Sequence, residues 1–139
     1  MIVRPAYLLA ALIVLGGGPA VAATAQQAVL EHYAALARQE NPKFAGFSAA
    51  HGRAFFLATP GTGEPGTPSC STCHTTDPRN EGRTRAGKVL APMAVSLTPT
   101  RFSDLAKVEK WFSRNCQTVL GRLCTAVEKG DFIAYLASQ

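Results

Sequence analysis

"CSTCH", Cys70–His74, is the stretch that decides how this chain folds. Two thiols separated by two residues, with an imidazole directly after, form the attachment signature of a c-type haem. The spacing has a physical reason. Cys70 and Cys73 must reach two vinyl groups along one edge of a porphyrin. His74 then lies beneath the ring, where its neutral imidazole ligates iron. Three other chemistries use paired cysteines. A redox dithiol sits beside a βαβ pattern, which this chain lacks. A zinc site would recruit Cys116 and Cys124, whose spacing does not suit a second close pair. A structural disulfide framework is the third. The adjacent histidine, the helical pattern and the export signal described below favour haem over all of them.

Outward from the motif, the flanking segments read as helices. Val29, Tyr33 and Leu36/Ala37 recur at helical spacing between Thr24 and Glu40, with Leu30 and Ala34 alongside. "NPKFAGF" interrupts them. Ser48 is placed to cap a second short helix that runs to Ala58. A Gly/Pro loop, Thr59–Pro68, then delivers the chain to Cys70. After His74 a polar stretch of little periodicity continues to Lys88. A third helix starts in "RFSDLAKVEKWFSRN", with Ser103 as N-cap and Asp104 in the first turn. Thr125 and Glu128 form a capping box for the last helix, whose apolar stripe is Phe132, Ile133 and Leu136. No segment carries a convincing strand pattern. The expected fold is all-α: about four helices with long loops around one covalently bound haem. Large core residues are few, and Gly and Pro are many. The cofactor is therefore expected to supply much of the core, leaving the apo-protein poorly folded.

Residues 1–23 have the layout of a cleaved secretory signal: Arg4 near the start, an apolar run Ala6–Leu15, a Gly-Gly-Gly-Pro break, and small residues at Ala20, Ala22 and Ala23. The run is too short to span roughly 30 Å of hydrocarbon, so a membrane-embedded protein is not expected. Residues 24–139 then make one domain, exported to the periplasm of a Gram-negative host. Basic side chains outnumber acidic ones, 14 to 9, without a dense block. That argues against a nucleic-acid partner. The basic residues of Arg79–Lys88 read as a solvated loop, with a docking patch for an acidic partner as the alternative.

The other face of the iron has two candidates. Met93 is the methionine that remains once Met1 leaves with the signal, and methionine is the usual sixth ligand of an electron carrier. Asn115 is the second. At about 100° per residue, Val108, Trp111, Phe112 and Asn115 share one sector of the third helix, and Lys107, Glu109, Lys110, Ser113 and Arg114 fall outside it. A buried amide without a partner costs roughly 1–3 kcal/mol. Either Asn115 ends the helix for local backbone reasons, or its side-chain oxygen faces the iron. In an oxidising compartment Cys116 and Cys124, left over from haem attachment, have a disulfide as their simple outcome. His32 and His51 read as surface or partly packed residues.

These residues resemble the sphaeroides haem protein family, small exported monohaem cytochromes c with an axial asparagine. The matching elements are "CSTCH", "RTRAGKVLAPMAVSLTPTRFSD", "KVEKWFSRNC", the cysteine of "GRLC" and "TAVEKGDFIAYL". "CSTCH" alone marks only a c-type haem; the "KVEKWFSRNC" block with its second cysteine makes the match specific. The resemblance implies a class I cytochrome c fold, His74 as the proximal iron ligand, Asn115 as the distal one, and a Cys116–Cys124 disulfide. It implies a largely high-spin haem c whose asparagine leaves on reduction and opens a site for oxygen, carbon monoxide or nitric oxide. It implies a dihaem cytochrome c and a membrane cytochrome b as redox partners. The chemistry agrees, because an amide oxygen is a hard, weak ligand that suits ferric better than ferrous iron. The expected function is a redox-active electron-transfer cytochrome that binds a diatomic gas when reduced. The alternative is a plain His74/Met93 carrier. No distal His, Arg or general acid is identifiable for O–O cleavage, so the sequence assigns no enzymatic activity.

Overall fold

Tyr33, Phe56, Ile133 and Leu136 are the largest side chains sealed from solvent, and they mark where the helices meet. The computed structural model describes residues 19–139. Along the chain lie α1 (Pro19–Glu40), α2 (Ala49–Leu57), α3 (Ser71–His74), β1 (Gly82–Arg83), β2 (Val89–Leu90), α4 (Leu105–Leu120) and α5 (Ala126–Ala137). The signal expected over residues 1–23 lies outside the described residues, apart from its last five, which continue α1 back to Pro19. Among the described residues no helix is long and apolar enough to cross a membrane.

The α1 stripe works as its spacing predicts: Val29, Tyr33 and Ala37 are buried. So does that of α5, where Phe132, Ile133 and Leu136 are buried together with Tyr135. α2 crosses α5 at Gly52. A Cβ there would run into the Asp131 backbone carbonyl and come within 2.8 Å of Tyr135 Cβ, so the crossing demands glycine. Asp131 is buried beside it, and its carboxylate accepts the Ser48 backbone N–H at 2.7 Å. A carboxylate at the N-terminus of α2 is favoured by the helix dipole. Phe132 is the hub of the core. The rings of Phe55, Phe56, Phe102 and Phe112 surround it at centroid distances of 5.4–6.4 Å, mostly edge-on, the geometry that ring quadrupoles prefer.

Caps fix the helix starts. The Ser48 hydroxyl accepts the His51 N–H, and Thr125 with Glu128 forms the complete capping box. For α4 the cap is Asp104, which accepts the Lys107 N–H at 3.0 Å, and not Ser103, whose hydroxyl instead donates to Thr100 O. The helix also runs past Asn115. It ends at Leu120, where Gly121 takes the left-handed conformation, φ 68°. The stretch after His74 is not patternless either. β1 and β2 form a two-residue antiparallel pair, with Gly82 opposite Leu90 and Arg83 opposite Val89.

Candidate haem-binding site

The motif turn is anchored before it begins. Ser69 is 5% exposed, and its hydroxyl donates to Phe56 O at 3.2 Å. The same oxygen accepts the Ser71 N–H and pairs with the Ser71 hydroxyl. The end of α2 therefore fixes the start of α3. Cys70 precedes the turn, Cys73 and His74 complete it, and the His74 N–H reaches Cys70 O at 3.2 Å. On the far side Gly82 of β1 lies against the Cys73 carbonyl so closely that no side chain fits there. The chain leaves through Thr75 at φ 60°, ψ 168°. A residue with a Cβ pays about 1–3 kcal/mol for such a region. The Thr75 hydroxyl, donating to Asp77 O at 2.6 Å, helps hold the turn.

Cys70 and Cys73 are free thiols, half-buried. Before haem is attached, burial pushes the Cys70 thiol up to about 11, which keeps it protonated at neutral pH. Burial first, then repulsion from Arg101, pulls His74 down to about 4. At neutral pH it is therefore the uncharged imidazole that ligates metals. Its Nδ1 is sealed and without a hydrogen-bond partner among the described residues.

The wheel sector drawn for α4 splits in two. Val108, Phe112, Cys116, Val119 and Leu120 are buried. Trp111, at 46%, and Asn115 lie on the adjoining exposed stripe. Each precedes a core residue, Phe112 or Cys116, by one step of about 100° around the helix. The helix-end reading of Asn115 fails, because α4 continues for five residues beyond it. Among the described residues the Asn115 side chain has no hydrogen-bond partner.

The backbone that follows Asn115 is held from three directions. Cys116 and Cys124 form a disulfide with Cα atoms 5.7 Å apart, both residues buried. Such a bond is stable in an oxidising environment. Arg122 forks onto the Glu128 carboxylate at 2.8 and 2.6 Å, while Glu128 also accepts the Thr125 N–H. From the opposite side the Gly/Pro loop clips the end of α4. The Thr62 hydroxyl donates to Leu120 O at 2.8 Å, and the Glu64 N–H donates to Thr118 O at 2.7 Å. Sequence spacing gave no sign of these contacts with Thr62 and Glu64, because their partners lie more than fifty residues away.

Met93 is 6% exposed and belongs to the core cluster with Val108, Phe112 and Phe132. Its neighbours are pinned: Ala94 N–H donates to Pro78 O and Val95 N–H to Leu136 O. His51 is exposed, 3.8 Å from Asp131, and His32 stands edge-on to Tyr33 at the surface. No group of three or more His, Cys, Asp or Glu among the described residues is arranged around a metal. With Cys116 and Cys124 bonded to each other, neither is free to join Cys70 and Cys73 in a zinc site. One neutral imidazole beside two free thiols is the donor set that a haem c requires.

The cytochrome c-type protein SHP of Cereibacter sphaeroides is 49% identical over 122 residues, 88% of this chain and 91% of that protein. The chain belongs to the SHP family of c-type cytochromes. A structure of oxidised SHP, described as an oxygen-binding cytochrome c, superposes with TM-score 0.75 at 48% identity and covers 82% of this chain and 96% of that one. Cytochrome c'' of Methylophilus methylotrophus is 36% identical over 111 residues, 77% of this chain and 75% of that protein. Its oxidised crystal structure gives TM-score 0.71 at 34% identity, with 84% and 95% covered. A family profile described as "Domain of unknown function (DUF1924)" matches residues 42–136. The all-α expectation with long loops is thus met by the class I cytochrome c-like fold of this family. Like its SHP relatives, this cytochrome carries a single covalent haem c with its iron.

Proposed function

We propose that Cys70 and Cys73 carry the thioether bonds to the haem, that His74 ligates the iron on one face, and that Asn115 ligates it on the other and dissociates on reduction, so that the ferrous protein takes up a diatomic gas. The haem supplies one-electron chemistry and, when the distal ligand leaves, a coordination position for oxygen, nitric oxide or carbon monoxide.

The observation that carries this reading is the setting of Asn115. It stands in mid-helix, exposed, with no hydrogen-bond partner among the described residues, on backbone clamped by a disulfide and by Arg122–Glu128. Held this way, the amide swings by side-chain rotation alone, and α4 stays intact. A hard amide oxygen favours ferric iron, so reduction is the natural release signal. Met93, packed in the core between pinned neighbours, would have to leave that core to compete. Two relatives support the reading: SHP is described as oxygen-binding, and a solution structure of cytochrome c'' concerns haem-ligand detachment.

Asn115→Ala tests the assignment. Haem attachment should survive, the oxidised spectrum should change, and the reduced spectrum should match the unaltered protein. Identical spectra in both redox states for the two proteins would remove Asn115 from the iron. On the same reading the signal-like residues 1–23 and the disulfide support a periplasmic location, and the redox partners are a dihaem cytochrome c and a membrane cytochrome b.

A further inference from the structure

The β1–β2 pair has two unlike faces. Gly82 lies opposite Leu90, and Arg83 lies opposite Val89. Residues paired across an antiparallel ladder share a face, and successive residues alternate between faces. Gly82 is buried, with its backbone against the Cys73 carbonyl and the His74 Cα. Leu90, on the same face, is half-buried. The other face carries Arg83 and Val89, both exposed, Val89 at 46%. The turn between the strands adds Arg85 and Lys88, also exposed. That turn is tied across itself. The Gly87 N–H donates to Thr84 O and the Thr84 N–H to Lys88 O, each at 2.9 Å, and the Lys88 N–H donates to the Thr84 hydroxyl at 3.1 Å. Past Leu90, Arg101 holds the exit of β2 by donating to Ala91 O at 3.2 Å and Pro92 O at 2.7 Å.

Residues 79–88 hold four basic side chains, Arg79, Arg83, Arg85 and Lys88, and one acidic, Glu81, whereas the whole chain has 14 and 9. Contacts within the molecule take up little of this charge. Arg83 donates to a neutral carbonyl, Gly87 O, at 3.3 Å. Arg85 stands 3.6 Å from Glu64 with both side chains more than half exposed, a pairing worth little in water. We propose that the outer face of this hairpin docks an acidic one-electron donor protein, with Val89 as the apolar centre and Arg83, Arg85 and Lys88 around it. The inference rests on haem attachment through Cys70 and Cys73. Electron transfer slows steeply with distance, so a donor must dock close to the residues that hold the cofactor. The inner face of the hairpin rests on the Cys73–His74 backbone, and a partner on the outer face is one layer of backbone away. The donor loses one electron, the ferric iron gains it, and no bond forms or breaks. Electron-transfer encounters use small interfaces. The charges steer and speed the encounter, and the apolar centre excludes water from it.

The test mixes the intact oxidised holoprotein with reduced flavodoxin, an acidic protein that gives up one electron at a time. Arg83→Glu with Lys88→Glu should slow reduction of the haem by flavodoxin about tenfold or more at low salt. The same pair should speed reduction by hexaammineruthenium(II), a small cation. Both differences should vanish at high salt, where the charges are screened. Val89→Ser should slow the flavodoxin reaction and leave the ruthenium one unchanged. Arg38→Glu with Lys43→Glu makes the same change in net charge on exposed residues at the end of α1 and in the loop after it, and should leave both rates nearly as they were. Equal effects from the two pairs would overturn the proposal, because net charge alone would then govern the rate. So would a flavodoxin rate that the hairpin pair leaves unchanged; if that pair instead abolished binding to phosphatidylglycerol vesicles, the surface would be a lipid site. Should the hairpin pair fail to fold, Arg85→Glu with Lys88→Glu replaces it with the same expected rates. A protein without covalent haem, seen by haem staining, would overturn the attachment reading along with this one, whereas rates indifferent to the hairpin charges in a haem-stained protein overturn this one alone.

Discussion

Tyr33 shows what one residue can and cannot disclose before the fold is known. Its place on the α1 stripe was legible from helical spacing. Its partner was not, because the hydroxyl donates at 2.7 Å to Glu109, 76 positions away. Lys129 closes the network, with Nζ 3.1 and 2.9 Å from the two Glu109 oxygens and 5.2 Å from the Tyr33 ring centroid. Tyr33→Phe should cost about 1 kcal/mol, since Glu109 keeps Lys129 when the hydroxyl goes; urea denaturation of the holoprotein measures it. Glu109 also gives the stability a pH dependence. Burial alone would raise its pKa, but hydrogen bonds from Lys129 and Tyr33 hold it below the usual carboxylate value. Glu128, held low chiefly by Arg122, behaves likewise. With folded pKa values below unfolded ones, the unfolded chain binds more protons in acid. The stabilisation is therefore complete above the unfolded carboxylate pKa and lost as pH falls through the folded values. Denaturation midpoints should drop below about pH 4.5, and Glu109→Gln should flatten that slope. Asn115 was legible as a polar residue out of place, but not its stripe. A sector of about 100° covers both the core face and its neighbour, and only packing separates Phe112 from Trp111.

At the scale of elements, periodicity found the four longer helices because each has a buried stripe. It failed on shorter features. The β1–β2 pair has two residues per strand, too few to show alternation. The α4 boundary was misjudged although Gly121, the residue that stops it, is a recognised C-terminal signal. At its start, Ser103 and Asp104 are both capping types, and only the hydrogen bond to Lys107 separates them. Two substitutions test these element-level claims. Gly52→Ala should destabilise by about 1–3 kcal/mol, because its Cβ meets α5 backbone that cannot move aside. Thr125→Ala should cost about 1 kcal/mol by breaking the capping box. Both are read as shifts in thermal midpoint of the holoprotein.

For the whole molecule, two short motifs in the sequence, "CSTCH" and the pair Cys116 and Cys124, anticipated more of the architecture than any helix pattern did. Covalent chemistry constrains residue identity more tightly than packing does. The contacts that hold those motifs, from Ser69 to α2 and from the Thr62–Glu64 loop to α4, depend on the finished fold and left no trace in local spacing. The disulfide can be weighed directly. Replacing Cys116 and Cys124 together by Ser should lower stability by about 2–3 kcal/mol while leaving the haem attached, as chemical denaturation with haem staining would show. Whether Asn115 is released on reduction is read first from the visible spectrum of the purified holoprotein, oxidised and reduced, with and without carbon monoxide. A high-spin reduced form that binds carbon monoxide readily is expected. A form that is low-spin in both states and unmoved by carbon monoxide would contradict it and point to Met93 as the ligand of a plain electron carrier.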